Sequence, residues 1–353
     1  MSRTLSYAEA INEATQITMA MDSNAICYGL GVDDPKRIFG TTKGLLEQFG
    51  PDRVFDTPTS ENAMTGIAIG ASLGGNRVLM THQRLDFFLL ALDQLVNNAA
   101  KWRYMFGGHS SPVSVVIRLI LGRGWGQGPT HSQNLQSWFA HIPGLKVVMP
   151  TTPADAKGLL LTSIFDDNPV VFLEHRWLHQ TRGDVPEGDH RVPLGTCRRL
   201  SEGQDLTIVS MSYMSIEALH AVGVLQDQGV SVDLLDLRSI RPMDWSSILN
   251  SVKKTGRLLV LDTSHEFCSV SGEIVAKVAT ECFSSLKAPP SRLALPDYPT
   301  PTSHFLTQDF YPRAEQILEK ASKLLGRSLR FEKLIRDEKV PHDVPGDWFT
   351  GPF

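Results

Sequence analysis

Residues Asp56 to Met64, DTPTSENAM, set one carboxylate, Glu61, after a proline turn and before the small-residue run GIAIGASLGG. A first-turn acid complements a helix dipole, which accounts for Glu61 without chemistry. The small residues behind it allow a second account: another chain or a flat ligand could approach that backbone closely, desolvate the acid and raise its pKa toward a range useful for proton transfer. A second group is Leu121 to Gln133, LGRGWGQGPTHSQ, with four glycines within seven residues. Such a loop can pass close to a bound molecule. His131 stands where the next helix is expected to begin, a place that favours the neutral imidazole suited to proton transfer near neutral pH. A helix-capping histidine in a structural loop is the alternative. The third group, His82, Gln83 and Arg84, comes directly after a strand. In a doubly wound sheet, ligands bind beyond the carboxyl ends of the strands, so this triplet is a pocket wall or an ordinary surface loop.

The elements that must position these groups alternate along the chain. Tyr7 to Met21 repeats apolar residues at helical spacing, and AICYG comes next as a strand. TKGLLEQF reads as helix, RVFDT as strand, ENAMTGIAIGASLG as helix, RVLMT as strand and DFFLLALDQLVNNAAKWRYM as one long amphipathic helix. On that helix Phe87, Phe88, Leu92 and Leu95 are core by default. VSVVIRLI, LKVVMP and VVFLE are further strands, with ADAKGLLLTSIFDD a helix before the last. Strands apolar throughout and separated by helices argue for a parallel sheet covered on both faces. Between Arg176 and Leu200 the rhythm breaks into polar, proline- and glycine-containing sequence. The expected division is residues 1–185 as a first domain, 186–200 as a linker, 201–328 as a smaller α/β domain and 329–353 as a C-terminal arm. The arm, ending DEKVPHDVPGDWFTGPF, reads as a frayed tail or as a segment packed on a partner chain.

Composition excludes several function classes. The 353 residues are 42% hydrophobic and 20% charged, with a formal net charge of −4, so a nucleic-acid or membrane-surface role gains no electrostatic support. Cys27, Cys197, Cys268 and Cys282 lie far apart, without metal-ligand spacing, and fit reduced thiols in the cytoplasm. The N-terminus lacks an apolar signal core, and no stretch approaches the ~18 uninterrupted apolar residues of a membrane span. The one G-x-S-x-G match, GASLG at Gly70 to Gly74, lies inside the expected helix ENAMTGIAIGASLG and not at a strand-to-helix elbow, and there is no H-E-x-x-H, no phosphate loop and no opening dinucleotide fingerprint.

Five segments, GPDRVFDTP, DQLVNNAAKWRYMFGG, HSQNLQSWFAHIPGLKVV, DAKGLL and VKKTGRLLVLD, occur in an order that resembles one family. It is that of the β subunit of the thiamine-diphosphate-dependent decarboxylating component of 2-oxo acid dehydrogenases. The resemblance runs from about Ser6 to Leu325 and implies a pyrimidine-binding domain with a doubly wound parallel sheet, then a smaller α/β transketolase C-terminal domain. It further implies that Glu61, in the family's TP-x-x-E motif, hydrogen-bonds N1′ of the cofactor's aminopyrimidine. Protonation there favours the imino form of the exocyclic group, which removes the thiazolium C2 proton; the cofactor does the carbon chemistry and the protein sets its tautomer. Phe87 matches the aromatic packed on the pyrimidine, and His131 the active-site histidine near the thiazolium. Val115, Ser163, Asp166 and Asn168 fall where some members bind potassium, mainly through backbone carbonyls.

This family divides its active site between two chains. The G-D-G motif that holds the diphosphate and its magnesium is absent here, so the resemblance implies an α subunit that provides it, a second copy of this chain in a heterotetramer, and a lipoyl-bearing acyltransferase as acyl acceptor. Two departures concern the substrate. Where members usually carry acids in L-G-E-[DE]-V this chain has YGLGVDD, with Leu30 and Gly31 at those places, and E-[IF]-Q-F-x-D-F has become THQRLDF. An added cation with fewer acids suits an anionic or polyhydroxylated substrate, and Arg84 is expected to contact it, with His82, Gln83 and His131 around it. The main expectation is an oxidoreductase-type component that decarboxylates a 2-oxo acid and passes on the acyl group. The alternative is a split transketolase or carboligase, a transferase working without a lipoyl carrier. A non-catalytic chain that only stabilises a partner is disfavoured by the presence of both Glu61 and His131.

Overall fold

In a computed structural model, residues 2–34, 36–123, 126–330, 341–346 and 348–349 are described. They group into two units: residues 1–122 with 138–194, and residues 123–137 with 195–351. The break in chain order lies between Leu194 and Gly195, and the segment Arg123–Ser137 belongs with the second unit, although it lies between strands of the first.

The first unit begins with β1 (Ser2–Ser6) and α1 (Tyr7–Met21), whose start is fixed by reciprocal bonds between Ser6 and Glu9. Next come β2 (Ala25–Gly29), α2 (Leu45–Phe49), β3 (Val54–Asp56), α3 (Glu61–Leu73), β4 (Arg77–His82), α4 (Leu85–Phe88), α5 (Ala100–Met105), β5 (Val115–Leu121), α6 (Gln136–His141), β6 (Lys146–Val148), α7 (Pro153–Ile164), β7 (Val170–His175) and β8 (Arg182–Pro186). Six strands pair in the order β6-β7-β5-β4-β2-β3, all parallel. Every residue of β5 and of β7 is buried, which requires cover on both faces of the sheet. The doubly wound reading therefore holds.

Two features depart from the sequence reading. The long helix expected over Asp86 to Met105 is helical but irregular: a 3₁₀ turn at Leu89–Ala91 and a π-helical stretch at Gln94–Ala99 separate α4 from α5. Amide pairs at helical spacing, Asn97 to Asp93 at 2.7 Å and Asn98 to Gln94 at 2.8 Å, brace that stretch. The extra residue in such a turn rotates the helix beyond it, so Leu95, Ala99 and Ala100 are buried while Tyr104 and Met105 face outward. The other departure is β8, which pairs antiparallel with β1 inside the segment expected to be irregular. Its sequence, RGDVP, has no apolar alternation, and its partner lies at the far end of the unit, so local pattern could not reveal it.

A charged pair sits in the middle of this sheet. Arg118 on β5 donates through Nε and Nη2 to the two carboxylate oxygens of Glu174 on β7, at 2.6 and 2.9 Å, and His179 Nε2 lies 3.1 Å from the same carboxylate. All three side chains are fully buried. Burial alone would raise the Glu174 carboxyl, but Arg118 and His179 more than offset it and hold it at about 2. The His179 ring stacks on Tyr7 at 5.8 Å, which ties the pair to the start of α1.

The second unit contains β9 (Arg198–Ser201), β10 (Leu206–Ser210), α8 (Met214–Asp227), β11 (Val232–Asp236), β12 (Ser239–Arg241), α9 (Trp245–Thr255), β13 (Leu258–His265), α10 (Val270–Glu281), β14 (Ser291–Leu295) and α11 (Ala314–Leu325). Five strands pair in the order β14-β13-β10-β11-β9, parallel except for β9. Leu206, Ile208, Leu234 and Leu259 of the sheet pack with Ala218, Leu225, Ile317 and Leu318 of α8 and α11. The C-terminal residues from Pro341 to Gly346 belong to this unit, so the described part of the arm packs on its own chain and is not frayed.

Removing one member of a buried ion pair leaves an uncompensated charge, at a cost of about 3–5 kcal/mol. Glu174→Gln should therefore lower the melting temperature strongly, whereas wild type should keep this contribution above the ordinary carboxylate range and lose it as pH falls through about 4 toward about 2. Melting curves of both proteins between neutral pH and pH ~3 check the magnitude and the sign.

Candidate active site

Because the strands of the first unit run parallel, their carboxyl ends share one edge: Gly29, Asp56, His82, Leu121 and His175. The candidate residues of this unit come directly after those ends. Glu61 opens α3 one turn after β3 and is 6% exposed. The Tyr28 hydroxyl donates to the Met64 carbonyl at 2.7 Å and Thr65 Oγ1 to the Glu61 carbonyl at 2.9 Å, fixing the first turn. Tyr28 itself stacks on Phe55 at 5.3 Å. Among the described residues, no side chain or amide bonds the Glu61 carboxylate, and Ser60 provides no side-chain cap. The residue is largely enclosed, yet its carboxylate oxygens are not among the buried unbonded atoms and stay open to a donor from outside the described residues.

The triplet after β4 divides by direction. Gln83 is exposed, and its amide donates to Asp34 Oδ2 at 3.3 Å. His82 turns inward, with its ring 5.1 Å from Phe88 in an edge contact, and burial pushes its imidazole down to about 4. Its ring is neutral at working pH, and both ring nitrogens are buried without a hydrogen-bond partner among the described residues. Arg84 is 5% exposed, and its Nη1 donates to the Gly122 carbonyl at 3.2 Å. Burial lowers the affinity of Arg84 for its proton, and Asp86 opposes that shift. Phe87 is 39% exposed while its neighbour Phe88 is buried, so α4 presents one aromatic ring outward and one to the core.

Sequence reasoning missed Arg176 at this edge, and it named Gly122 and Gly31 without their structural role. Arg176, just beyond β7, is buried beside Arg84 and lies 4.2 Å above the Phe39 ring; burial and the neighbouring Arg84 charge push it down to about 9. Its only sequence signal was its place after an apolar strand. Gly122 has φ +79°, and a Cβ there would lie 2.5 Å from His175 Nε2, so the chain can leave β5 only through glycine. Gly31 has φ +81°, and a Cβ would meet the Gln83 amide at 2.3 Å. The missing acid at this position therefore has a steric cause: any side chain would displace Gln83.

His131 belongs to the second unit. Its backbone N–H donates to the Gly128 carbonyl at 3.2 Å, and Nδ1 lies 3.0 Å from Thr130 Oγ1. It is half-buried in a bend, and the next helix, α6, starts only at Gln136. The expectation that His131 heads a helix is thus corrected: residues 132–135, without regular structure, intervene before α6. Trp125 lies outside the described residues.

Of the four residues expected for potassium, Ser163, Asp166 and Asn168 lie at and just beyond the end of α7, and Asp166 and Asn168 have side-chain partners. Asp166 forms an ion pair with Lys146 and accepts from the Asn168 amide at 2.8 Å. The Ser163 carbonyl accepts from the Asp166 N–H at 3.2 Å, and Asn168 Oδ1 accepts from Arg103 at 3.3 Å. Val115 is the first residue of β5 and pairs with Val78. Among the described residues, no cluster of His, Cys, Asp and Glu is arranged to hold a metal.

Known proteins place this geometry in context. Residues 3–181 match the family model described as transketolase, pyrimidine binding domain, and residues 195–317 match transketolase, C-terminal domain. The chain is 41% identical, over 92% of its length and 98% of the relative's, to the acetoin:2,6-dichlorophenolindophenol oxidoreductase subunit beta of Cupriavidus necator. It is 38% identical, over 91% of its length and 98% of the relative's, to the pyruvate dehydrogenase E1 component subunit beta of Rickettsia felis. The chain belongs to the β subunits of thiamine-diphosphate-dependent 2-oxo acid dehydrogenase components. A solved structure described as a split-gene transketolase, an inactive β4 tetramer, superposes with a TM-score of 0.73 over 91% of this chain and 98% of the other at 20% identity, a likeness of fold. As a member of this family, the chain works as part of a complex rather than alone. No described helix is long and apolar enough to cross a membrane.

Arg84→Ala removes a charge-assisted bond to the Gly122 carbonyl, a change of about 1.5–3 kcal/mol. At about 2–4 °C per kcal/mol for a domain of this size, the melting temperature should fall by several degrees. Thermal denaturation of the purified chain measures it, and an unchanged melting point would remove Arg84 from the frame of this edge.

Proposed function

We propose that this β subunit serves a two-chain enzyme that releases the carboxyl group of a small 2-oxo acid as CO₂ and hands the remaining acyl group to a lipoyl-bearing acyltransferase. The observation that carries the reading is Glu61, a largely enclosed residue whose carboxylate is bonded by no described residue and stands open at the mouth of a helix made of small residues. Its chemistry fits a donor on a flat heterocycle, so the residues present fit the pyrimidine of thiamine diphosphate. When bound, that cofactor supplies the nucleophilic carbon that attacks the substrate carbonyl. Glu61 would hold a proton at the pyrimidine N1′, Phe87 would give an apolar face to the ring, and His131 would donate to or accept from the reacting oxygen. Gln83 is the exposed residue of the triplet and would touch substrate. Arg84 and Arg176 would act from beneath as a buried positive field favouring a carboxylate.

An α subunit would bring the diphosphate site and its magnesium, for which this chain has no G-D-G motif. Assembly as a heterotetramer with a second copy of this chain completes the reading. Potassium would be held mainly through backbone carbonyls of Val115, Ser163, Asp166 and Asn168, since the Lys146 ion pair engages only the Asp166 side chain. A cytoplasmic setting is consistent with four cysteines that are all free. The relative named for acetoin supports a second reading, in which the substrate is that neutral hydroxyketone. The two buried guanidinium groups favour the acid. Rates of the two-chain complex with 2-oxo acids and with acetoin, read with 2,6-dichlorophenolindophenol, choose between them.

Glu61→Gln should leave folding and assembly intact while lowering kcat by about 10²-fold or more at saturating cofactor. Steady-state kinetics on the assembled variant check this, and a kcat near wild type would sink the role of Glu61. Titrated alone with thiamine diphosphate and magnesium in a calorimeter, the chain should show no micromolar binding; heat at that affinity would mean that it holds the diphosphate unaided.

A further inference from the structure

The glycine-rich loop Arg123–Ser137 is tied to the second unit at three points, and one tie comes from the C-terminal end of the chain. At the loop's start, Arg123 Nη2 donates to Asp343 Oδ2 at 2.6 Å, with side-chain exposures of 1% and 2%. Arg123 Nη1 reaches the Pro301 carbonyl at 3.4 Å, and its guanidinium lies 5.9 Å from the centre of the Tyr311 ring. Midway, a Cβ at Gly128 would lie 2.2 Å from Thr302 Oγ1, so the backbone runs directly over that residue. At the end, the Gln136 amide donates to Asp262 at 2.8 Å and to Thr263 at 2.9 Å.

Asp343 is itself held. His304 Nδ1 lies 2.9 Å from its other carboxylate oxygen, and the rings of His304 and His342 are 4.0 Å apart. Arg313 Nη2 donates to the carbonyls of His342 at 2.8 Å and Val344 at 2.9 Å, while its Nη1 is anchored on Glu217 at 2.8 Å. The apolar cluster that packs α8 and α11 on the sheet runs only to Leu329 in chain order. Asp343 is buried instead against the first residue of the loop.

We infer that residues 341–346 form a clasp, and that Asp343 is a positioning residue that fixes the loop carrying His131. A loop rich in glycine loses more backbone freedom on ordering than any other, so external ties must hold it. A charge as buried as Arg123 accepts only a location where its partner stands, which makes Asp343 the tie with the narrowest tolerance. The catalytic consequence rests on the role of His131 proposed above; the mechanical one does not.

The test uses the assembled two-chain enzyme with Asp343→Ala and Asp343→Glu. Amide hydrogen exchange over residues 126–135 should quicken in Asp343→Ala and recover partly in Asp343→Glu. In Asp343→Ala, kcat should fall on the order of ten- to hundredfold with KM changed far less, because a displacement of about 1 Å near the chemistry carries such a loss. If Asp343→Ala fails to assemble, Asp343→Asn, equal in shape, takes its place in the same measurements. Unchanged exchange in the loop overturns the clasp. Faster exchange with unchanged kcat overturns its link to catalysis. A His131→Ala enzyme with full kcat would overturn the role of His131 instead, and the exchange data would still decide whether the clasp exists.

Discussion

The carboxyl edge of the first sheet depends on the pairing of Arg118 with Glu174. Two charges removed from water are tolerated here because the contact is bidentate and the remaining acceptor capacity is used by His179. The pair fixes β5 against β7, and it is from the ends of these two strands that Gly122 and His175 emerge. Gly122 can pass His175 only without a side chain, and its carbonyl then lies where Arg84 reaches it from the end of β4. Through His179 and Tyr7 the same network extends to the first turn of α1. A single polar contact in the middle of an apolar sheet thus sets the register of three strand ends.

Charge is segregated around that edge. The cations, Arg84 and Arg176, are turned inward, and the side chains that face out are an amide and an aromatic ring. Like charges packed together inside a protein repel, so their proximity is retained against a free-energy cost. A field from buried, fixed charges needs no reorganisation when an anion arrives, unlike that of a flexible lysine at a surface. Glu61 is the opposite case: an acid in a largely enclosed residue whose bonding capacity is left open by the described residues.

The sequence revealed the alternation of strands and helices because buried parallel strands leave continuous apolar runs, as in VSVVIRLI. It revealed Glu61 and the glycine-rich loop because proline turns and clustered glycines are strong local signals. What it hid was non-local or directional. β1 and β8 pair across the whole first unit without apolar pattern. The π-helical stretch at Gln94–Ala99 keeps helical composition while changing which side chains face out. His82 and Arg84 carried the residue types of a pocket wall, yet period-two alternation and the turn into α4 point them inward, and Arg176 had no local motif at all. His131 looked like a helix start because Ser132, Gln133 and Asn134, which run on to Gln136 without regular structure, are as polar as a cap.

The membership of residues 123–137 in the second unit bears on how separable the two units are. A protein whose parts succeed one another like beads can be cut at a linker, and each bead keeps its own residues. Here the boundary between Leu194 and Gly195 does not divide the chain in that way, since a stretch of the second unit is threaded through the sequence of the first. A fragment beginning at Gly195 would leave Asp343 and Asp262 without Arg123 and Gln136, and a fragment ending at Leu194 would carry a glycine-rich segment with nothing to rest on. The two halves are therefore not separable by a single cut: cleavage at the apparent linker leaves the segment 123–137 with the wrong part.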